Sequence, residues 1–296
     1  MTALEALAPA KVNLFLHVGA PDAQAYHPLC TLMVFADLGD RVRLSPSDAP
    51  AFHVTGPYAA ALVGEGDNLV LRAMRALLQA LRGPRSAMSL VLDKALPVAA
   101  GLGGGSSDAG AALRLLRQVW APDMADDRLQ ALAASLGADG AACLWGAPVL
   151  AEGRGEVLTP APVLPAIPAV LVNPGVEAST RAVYGEFDRL GRFGDVASPA
   201  LPDAFESVEE VAAWLSLQRN DLEPAAIALA PEIGQVLAAL SEEPEVLVAR
   251  MSGSGATCFA ICAGDLEAEQ LAARLAELRP DWWVQRCRLG GPWPDA

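Results

Sequence analysis

Lysine and histidine are scarce in this chain of 296 residues. Of its 21 basic residues only Lys11 and Lys94 are lysines, and the others are all arginines. The histidines, His17, His27 and His53, never occur at a spacing that suits zinc. The sequence therefore predicts neither a structural zinc site nor a histidine-rich catalytic metal site.

Basic residues are also few beside the acidic ones, 21 against 35, and the formal net charge is -14. Proteins that bind nucleic acids by general electrostatics need basic patches that release counterions, so this class is not expected. No run of about 18 apolar residues is present, which excludes a membrane-spanning helix. The first cationic residue is Lys11, so no basic targeting segment is predicted. We expect a soluble, cytoplasmic protein that binds neither nucleic acid nor membranes.

Paired cysteine motifs are absent as well. The cysteines form no C-x-x-C pair, so we expect reduced, largely buried thiols at Cys30, Cys143, Cys258, Cys262 and Cys287. Hydrophobic residues, in contrast, make up 53% of the chain, which is enough for a large core. This length predicts one large domain or two of medium size.

Hydrophobic periodicity predicts the strands and helices of the first half of the chain. Strict alternation predicts a strand over 12–18, and its continuation would place Lys11 on the same face as Asn13. Further strands are predicted at 41–44, 52–54 and 88–92, and helices at 69–81, 106–120 and 128–136.

A proline-rich stretch at 159–168 predicts the domain boundary. It holds four prolines, which no helix or central strand is expected to tolerate. We therefore predict an N-terminal domain at 1–158 and a C-terminal domain at 169–296. The second half should be α+β, with strands at 169–173, 246–250, 257–262 and 283–288 and helices at 208–217, 224–240 and 266–278.

The segment Pro97–Asp108 is the most informative one. Its four glycines lie within five residues and free the backbone to expose several N–H groups on one side. Ser106, Ser107 and Asp108 then offer an N-cap to a helix of small residues, and such a junction suits a phosphate group. The alternative is a flexible surface loop before an ordinary helix, which would not need so tight a junction.

Three common nucleotide-binding motifs do not fit this loop. Neither Lys11 nor Lys94 follows a glycine, so there is no Walker A motif. Ser106 stands where the G-x-G-x-x-G dinucleotide fingerprint needs glycine, and the loop does not directly follow a strand. The His-Arg-Asp sequence of protein kinases is also missing.

Three motifs together resemble those of the GHMP kinases. Pro97–Asp108 is similar to the central motif of that family, Pro9–Leu14 to its first motif and Arg250–Ala256 to its third. They occur in the right order and span nearly the whole chain. The resemblance implies an α+β, two-domain fold with a ribosomal-protein-S5-like N-terminal domain and a ferredoxin-like C-terminal domain. It also implies an ATP-dependent small-molecule kinase that uses Mg²⁺.

Further motifs resemble one branch of this family, which phosphorylates the 2-hydroxyl group of a cytidine diphosphate alcohol in the non-mevalonate route to isoprenoid precursors. These motifs are Tyr26-His27, Leu136–Asp139, Glu152–Glu156 and Asn220–Glu223. The alternatives are a homoserine or phosphomevalonate type of kinase and a catalytically inactive nucleotide-binding protein of the same fold.

The resemblance implies a catalytic pair. Asp139 is similar to the carboxylate that accepts the proton of the substrate hydroxyl group, and Lys11 to the lysine that keeps this carboxylate ionised. Taken alone, Asp139 would suit a turn after a helix better, since Gly137 and Gly140 flank it, and the accompanying motifs are what favour the catalytic role. The family usually continues with Val-Pro and an aromatic residue, whereas Gly140 and two alanines follow here. We expect Lys94 to be an ordinary surface residue.

The same resemblance assigns the glycine loop to ATP. The implied ATP-binding residues are Pro97, Val98, Ala99, Ala100, Gly101, Leu102, Gly103, Gly104, Gly105, Ser106 and Ser107. Ser107 is also a candidate contact for magnesium, but no carboxylate ligand can be matched, so the metal ligands stay unassigned. The turn at 252–255 has three interpretations: a buttress of the phosphate site, a substrate contact or a structural turn.

The acceptor substrate needs its own contacts, because a cytosine base requires an aromatic face and a donor–acceptor edge. Tyr26 and His27 are similar to the base-binding pair of the family, and Tyr184 stands where the family has a stacking aromatic residue. Tyr184 would also suit the core face of a helix. The implied substrate-binding residues are Asn13, Tyr26, His27, Thr180 and Tyr184.

Overall fold

The computed structural model describes residues 3–62, 68–81, 83 and 85–293. Its strands are β1 (Leu4–Val18), β2 (Leu29–Pro46), β3 (Ala51–Thr55), β4 (Met88–Asp93), β5 (Val149–Gly153), β6 (Val157–Pro160), β7 (Ile167–Asn173), β8 (Val246–Met251), β9 (Cys258–Cys262) and β10 (Trp283–Gly290). Its helices are α1 (Leu69–Leu81), α2 (Gly104–Trp120), α3 (Asp126–Ala134), α4 (Gly140–Trp145), α5 (Thr180–Leu190), α6 (Val208–Ser216), α7 (Glu223–Leu229), α8 (Pro231–Ser241) and α9 (Asp265–Leu278).

The two longest strands extend well beyond the strands that the sequence predicts. The strand predicted at 12–18 begins at Leu4, and the one predicted at 41–44 is only the end of β2. The residues of β1 from Ala6 onward are all buried, so most of this strand lacks the polar alternation of a half-exposed strand. β1 pairs with β2 antiparallel over its whole length. The paired strands carry the first motif to the centre of the molecule.

One sheet runs through both halves of the chain, because β10 pairs with β2 and also with β7. The expectation that no central strand tolerates the prolines at 159–168 is wrong. β6 and β7 include both ends of this stretch, and Pro168 lies in β7, between β10 and β9 in the sheet. Pairing with β9 begins only at Ala169, so the missing N–H of Pro168 leaves no gap in that ladder. The domain division at 159–168 stays a prediction.

Two helix predictions need correction. α2 begins at Gly104 rather than at the serines, so Ser107 and Asp108 are buried within its first turns and do not cap it. The helix predicted at 224–240 is two helices, since Pro231 has no N–H to continue the hydrogen bonding of α7 and begins α8 instead. The other predicted helices and strands are confirmed to within two residues at each end.

Two strands and two α-helices of the described residues were not predicted from the sequence. β5 and β6 are strands of five and four residues, and α4 has only six, too few to show a period. α5 has 11 residues and buries Val183 and Phe187, which are four positions apart on one helix face. α4 and α5 matter most for the site, because α4 begins directly after Asp139 and α5 begins with Thr180.

All five cysteines are free and buried, as the sequence predicts. Among the described residues, no helix has both the length and the apolar character needed to cross a membrane.

Candidate active site

A cleft of about 1850 Å³ brings most of the predicted site residues together. Its wall includes the whole segment from Pro97 to Ser106, and Ser107 lies behind that wall, fully buried. The other predicted site residues that line the cleft are Lys11, Asn13, Tyr26, His27, Asp139, Thr180 and Tyr184. The three motifs therefore meet at one place, although they are far apart in the sequence.

The glycines of the loop allow close approach of other groups. Gly101 has a φ of +76°, and a Cβ there would lie 2.5 Å from the carbonyl oxygen of Ser252. Gly103 has a φ of +61°, and its Cβ would lie 3.0 Å from Cε of Lys11. α2 begins directly afterwards, so its unpaired N–H groups and the positive end of its dipole lie at the wall of the cleft. This arrangement suits a phosphate group.

Lys11 and Asp139 form an ion pair in the cleft. The ammonium of Lys11 lies 3.3 Å from Oδ2 of Asp139 and donates a hydrogen bond of 2.6 Å to Oδ1 of Asn13. Lys11 is only 5% exposed, whereas the side chain of Asp139 is 31% exposed. The carboxylate is thus held on one side by a buried cation and remains open to the cleft on the other.

Asp139 owes its position to the start of α4. Its backbone carbonyl accepts a hydrogen bond from the N–H of Cys143, while its side chain does not cap the helix. A Cβ at Gly140 would lie 2.0 Å from the carbonyl oxygen of Ala133 in α3, so only glycine allows this approach of the two helices. The glycine that departs from the usual family pattern is therefore the residue that this packing requires, and the carboxylate still reaches Lys11.

The turn at 252–255 contacts the other two motifs. Oγ of Ser252 accepts a hydrogen bond of 3.2 Å from the N–H of Asn13 and donates one of 3.1 Å to the carbonyl of Gly101. The side-chain amide of Asn220 donates a hydrogen bond of 2.8 Å to the carbonyl of Gly253 and so fixes the turn from behind. Among the interpretations of the turn, these contacts fit a buttress of the glycine loop.

His27 lines the cleft and joins two segments of the chain. Its Nδ1 lies 2.8 Å from the carbonyl oxygen of Gly19, and its Nε2 lies 3.3 Å from Oδ1 of Asp188 on α5. The ring centroid lies 5.1 Å from that of Tyr184, on the same helix. Burial raises the pKa of Tyr184 to about 12, and the negative charge of Asp139 acts in the same direction. Tyr184 therefore keeps its proton at neutral pH.

The remaining predicted substrate residues flank this aromatic group. Tyr26 is 56% exposed, and the guanidinium of Arg154 lies 4.2 Å from the centre of its ring. Thr180 is the first residue of α5, and its hydroxyl group lies 2.9 Å from that of Ser254. The third motif is thus linked to the helix that carries Tyr184.

The prediction that Lys94 is a surface residue is wrong. Lys94 is 3% exposed, and its ammonium donates hydrogen bonds to the carboxylates of Asp40 and Asp108. Burial alone would lower the pKa of Lys94, but the two carboxylates outweigh it and raise the pKa above its ordinary value. The sequence could not show this contact, because Asp40 is 54 positions away along the chain.

Arginines on the cleft wall are a feature that the sequence analysis missed. Arg72, Arg154 and Arg181 line the cleft. Arg154 pairs with Asp22 at 2.6 Å. Arg72 and Arg181 are exposed, and neither has a carboxylate partner among the described residues. Arg154 belongs to the Glu152–Glu156 motif, which is the one sequence signal that could have found it.

Two family patterns match the chain. The pattern described as GHMP kinases N terminal domain matches residues 68–147, and the one described as GHMP kinases C terminal matches residues 199–281. The 4-diphosphocytidyl-2-C-methyl-D-erythritol kinase of Caulobacter sp. (strain K31) is 63% identical over 98% of this chain and 99% of the relative. The enzyme of the same name from Hyphomonas neptunium is 48% identical over 97% of each chain.

Solved structures are similar over the same length. A crystal structure of 4-(cytidine 5'-diphospho)-2C-methyl-D-erythritol kinase has a TM-score of 0.79 and 35% identity, and the match covers 97% of this chain and 100% of the other. The homoserine kinase of Cytophaga hutchinsonii has a TM-score of 0.69 at 21% identity and covers 98% of this chain and 96% of its own, which shows a common fold.

Proposed function

The chain belongs to the GHMP kinases and is an ATP-dependent small-molecule kinase of α+β fold, and we propose that it phosphorylates the 2-hydroxyl group of 4-diphosphocytidyl-2-C-methyl-D-erythritol. This reaction belongs to the non-mevalonate route to isoprenoid precursors. We infer the acceptor from the name of two relatives, which are 63% and 61% identical to this chain over nearly its whole length. The observation that carries the proposal is the Lys11–Asp139 pair, which lies in one cleft with the glycine loop and the His27–Tyr184 pair.

Transfer of a phosphoryl group needs a base, a positioned nucleophile and neutralisation of charge. Asp139 presents a carboxylate to the cleft and accepts the proton of the attacking hydroxyl group. Lys11 compensates the charge of Asp139 and lies within van der Waals reach of Gly103, so it also faces the transferring phosphoryl group. The N–H groups at the start of α2 bind phosphate oxygens of ATP. Asn13 holds the Lys11 ammonium in place through a hydrogen bond of 2.6 Å.

Magnesium enters this proposal as part of the ATP substrate. Mg²⁺ is usually held by substrate phosphates with one or two carboxylates rather than by a protein cage. In the described part of the chain, no three His, Cys, Asp or Glu side chains are grouped as a metal site would need. Oγ of Ser107 lies buried behind the cleft wall and has no hydrogen-bond partner among the residues that the structure describes. Mg²⁺ would arrive with the triphosphate, where it would neutralise phosphate charge.

The cytosine base is proposed to bind between Tyr26, His27 and Tyr184. The carbonyl of Gly19 lies beside Nδ1 of His27 and Asp188 lies beside Nε2, and these two contacts favour one orientation of the ring. Tyr184 adds a second ring, and both rings border the cleft. A pocket with fixed aromatic faces and a few polar groups is what a nucleotide base requires.

Arg72 and Arg181, which have no carboxylate partner within the described ranges, support two separate polyanion sites. A Cβ at Gly105 in the glycine loop would lie 3.3 Å from the side chain of Leu69. Arg72 lies one helical turn after Leu69 on α1, so Arg72 belongs to the ATP end of the cleft. Arg181 lies on α5 between Thr180 and Tyr184, at the acceptor end. We assign Arg72 to the triphosphate and Arg181 to the diphosphate of the acceptor.

A coupled assay of ATP consumption against a panel of alcohols tests the proposal. The panel contains 4-diphosphocytidyl-2-C-methyl-D-erythritol, homoserine and phosphomevalonate, and the product is checked for a phosphate on the 2-hydroxyl group. We expect turnover with the cytidylyl alcohol alone. Turnover with another member of the panel, or with none, would overturn the assignment.

A further inference from the structure

A buried group of charged side chains lies behind the glycine loop. It consists of Lys94, Asp40 and Asp108, which are 3%, 0% and 2% exposed, and is called the anchor cluster below. The ammonium of Lys94 donates hydrogen bonds to Oδ2 of Asp40 and, at 2.8 Å, to Oδ2 of Asp108. The transfer chemistry proposed above uses none of these three residues.

The anchor cluster ties both ends of the glycine loop to the sheet. Lys94 follows β4 and precedes the loop, whereas Asp108 lies in α2, directly after the loop. Asp40 belongs to β2, and its Oδ1 accepts hydrogen bonds from the N–H groups of Ala95 at 2.7 Å and Leu96 at 2.8 Å. The entrance and the exit of the loop are therefore fastened to one carboxylate and one ammonium.

The cluster also lies directly under the proposed phosphate site. A Cβ at Gly104, the first residue of α2, would lie 3.0 Å from Nζ of Lys94 and 3.6 Å from Oδ2 of Asp40. Buried ions are a weak source of stability, since their desolvation offsets their attraction, but they allow few alternative arrangements. Buried ion pairs are therefore most useful where the backbone must keep one conformation.

We propose that Lys94, Asp40 and Asp108 are positioning residues, which hold the glycine loop and the start of α2 in the geometry that binds the phosphates of ATP. This inference rests on the proposed assignment of the loop to ATP. Lys94 and Asp108 border the cleft while Asp40 does not, and all three act through the backbone N–H groups of the loop.

Ionisation of Asp108 should make nucleotide binding depend on pH. Burial raises the pKa of Asp108 well above its ordinary value, although the ammonium of Lys94 opposes this, and its Oδ1 has no hydrogen-bond partner in the described part of the chain. The groups that face it are Lys94, Asp40 and the thiol of Cys143, whose pKa burial raises to about 12. The ionised form of Asp108 places a second negative charge, beside that of Asp40, under the phosphate site, so nucleotide binding should weaken as a rising pH removes its proton.

The first test is the variant Asp40→Asn, with ADP as the probe in titration calorimetry. Replacing one oxygen by an amide nitrogen removes an acceptor from the cluster, and we expect the Kd of ADP to rise roughly tenfold or more. The KM of the acceptor alcohol should change little. The matched control is Asp93→Asn, which changes the residue before Lys94 but lies outside the cluster. A folded Asp40→Asn protein that binds ADP like the wild type would overturn the inference.

The second test is Asp108→Asn, which keeps the shape and removes only the ionisation. We expect the Kd of ADP to rise with pH in the wild type, as Asp108 ionises, and to stay level in the variant. Superimposable pH profiles, or a lower melting temperature with an unchanged profile, would show a merely structural cluster. ADP binding is measured without the acceptor, so failure of the proposed acceptor leaves this test intact.

Discussion

Asp139 is the residue at which chemistry and binding can be separated. Its carboxylate is partly open to the cleft and pairs only with Lys11 among the described residues. We expect Asp139→Asn to leave the affinity for ATP nearly unchanged and to lower kcat by ~10²–10⁴, the usual effect of losing a positioned base. Steady-state kinetics with Asp123→Asn, an exposed aspartate outside the cleft, as control measure this. A variant with near-normal kcat would remove Asp139 from the mechanism.

Substitution of Lys11 tests whether any positive charge at this position is enough for catalysis. Cε of Lys11 would lie 3.0 Å from a Cβ at Gly103, so the side chain is packed tightly against the loop. A guanidinium is larger and planar and has no room to take the place of the ammonium. We expect Lys11→Arg to be as inactive as Lys11→Met in the coupled assay. Recovery of wild-type kcat in the arginine variant would contradict this prediction.

Tyr184 has two interpretations that kinetics can separate. It borders the cleft beside His27, and it also packs against the hydrophobic core. If it stacks on the cytosine base, Tyr184→Ala should raise the KM of the cytidylyl alcohol by an amount equal to ~1–3 kcal/mol and leave the KM of ATP unchanged. Tyr184→Phe, which keeps the ring, is the control. A lower melting temperature with both KM values changed would favour the core role.

At the scale of elements, the contact between α3 and α4 sets the position of Asp139. A Cβ at Gly140 would lie 2.0 Å from a carbonyl oxygen of α3, and such overpacking costs about 1–3 kcal/mol. We expect Gly140→Ala to lower the melting temperature by several degrees, since ~1 kcal/mol corresponds to about 2–4 °C in chains of this size class. We also expect kcat to fall, because Asp139 is its neighbour.

Gly137 provides the matched control for this contact. It lies in the same connection, and a Cβ there would meet nothing within 4 Å. Gly137→Ala should therefore leave both the melting temperature and kcat close to those of the wild type. Equal effects of the two substitutions would show that the close approach of α3 and α4 does not position Asp139.

For the whole molecule, the net charge of -14 repels both polyanionic substrates at long range, so cations in the cleft must attract them. Lys11 and Arg154 are already paired with carboxylates, whereas Arg72 and Arg181 have no such partner among the described residues. We expect Arg72→Gln to raise the KM of ATP about tenfold and Arg181→Gln to raise that of the alcohol similarly. Each variant is the control for the other. If both KM values rise together in either variant, the assignment of one arginine to each substrate is wrong.

The glycine loop and most helices could be predicted from the sequence, because their signals are local. Four glycines followed by small residues specify a backbone that only such residues adopt, and α1 shows its period within 13 residues. The three motifs are also local, and their order was enough to identify the family. The order of the motifs could not show where they meet.

Only the tertiary structure decided which charged groups face one another. The sequence predicts that Lys94 is a surface lysine, yet β2 and α2 bring two carboxylates to it. The same holds for Asp139, whose neighbours in the sequence depart from the family pattern, and which reaches Lys11 because Gly140 lets α4 pack on α3. Burial and ion pairing depend on residues that are distant along the chain, and no local pattern of hydrophobicity or turn residues encodes them.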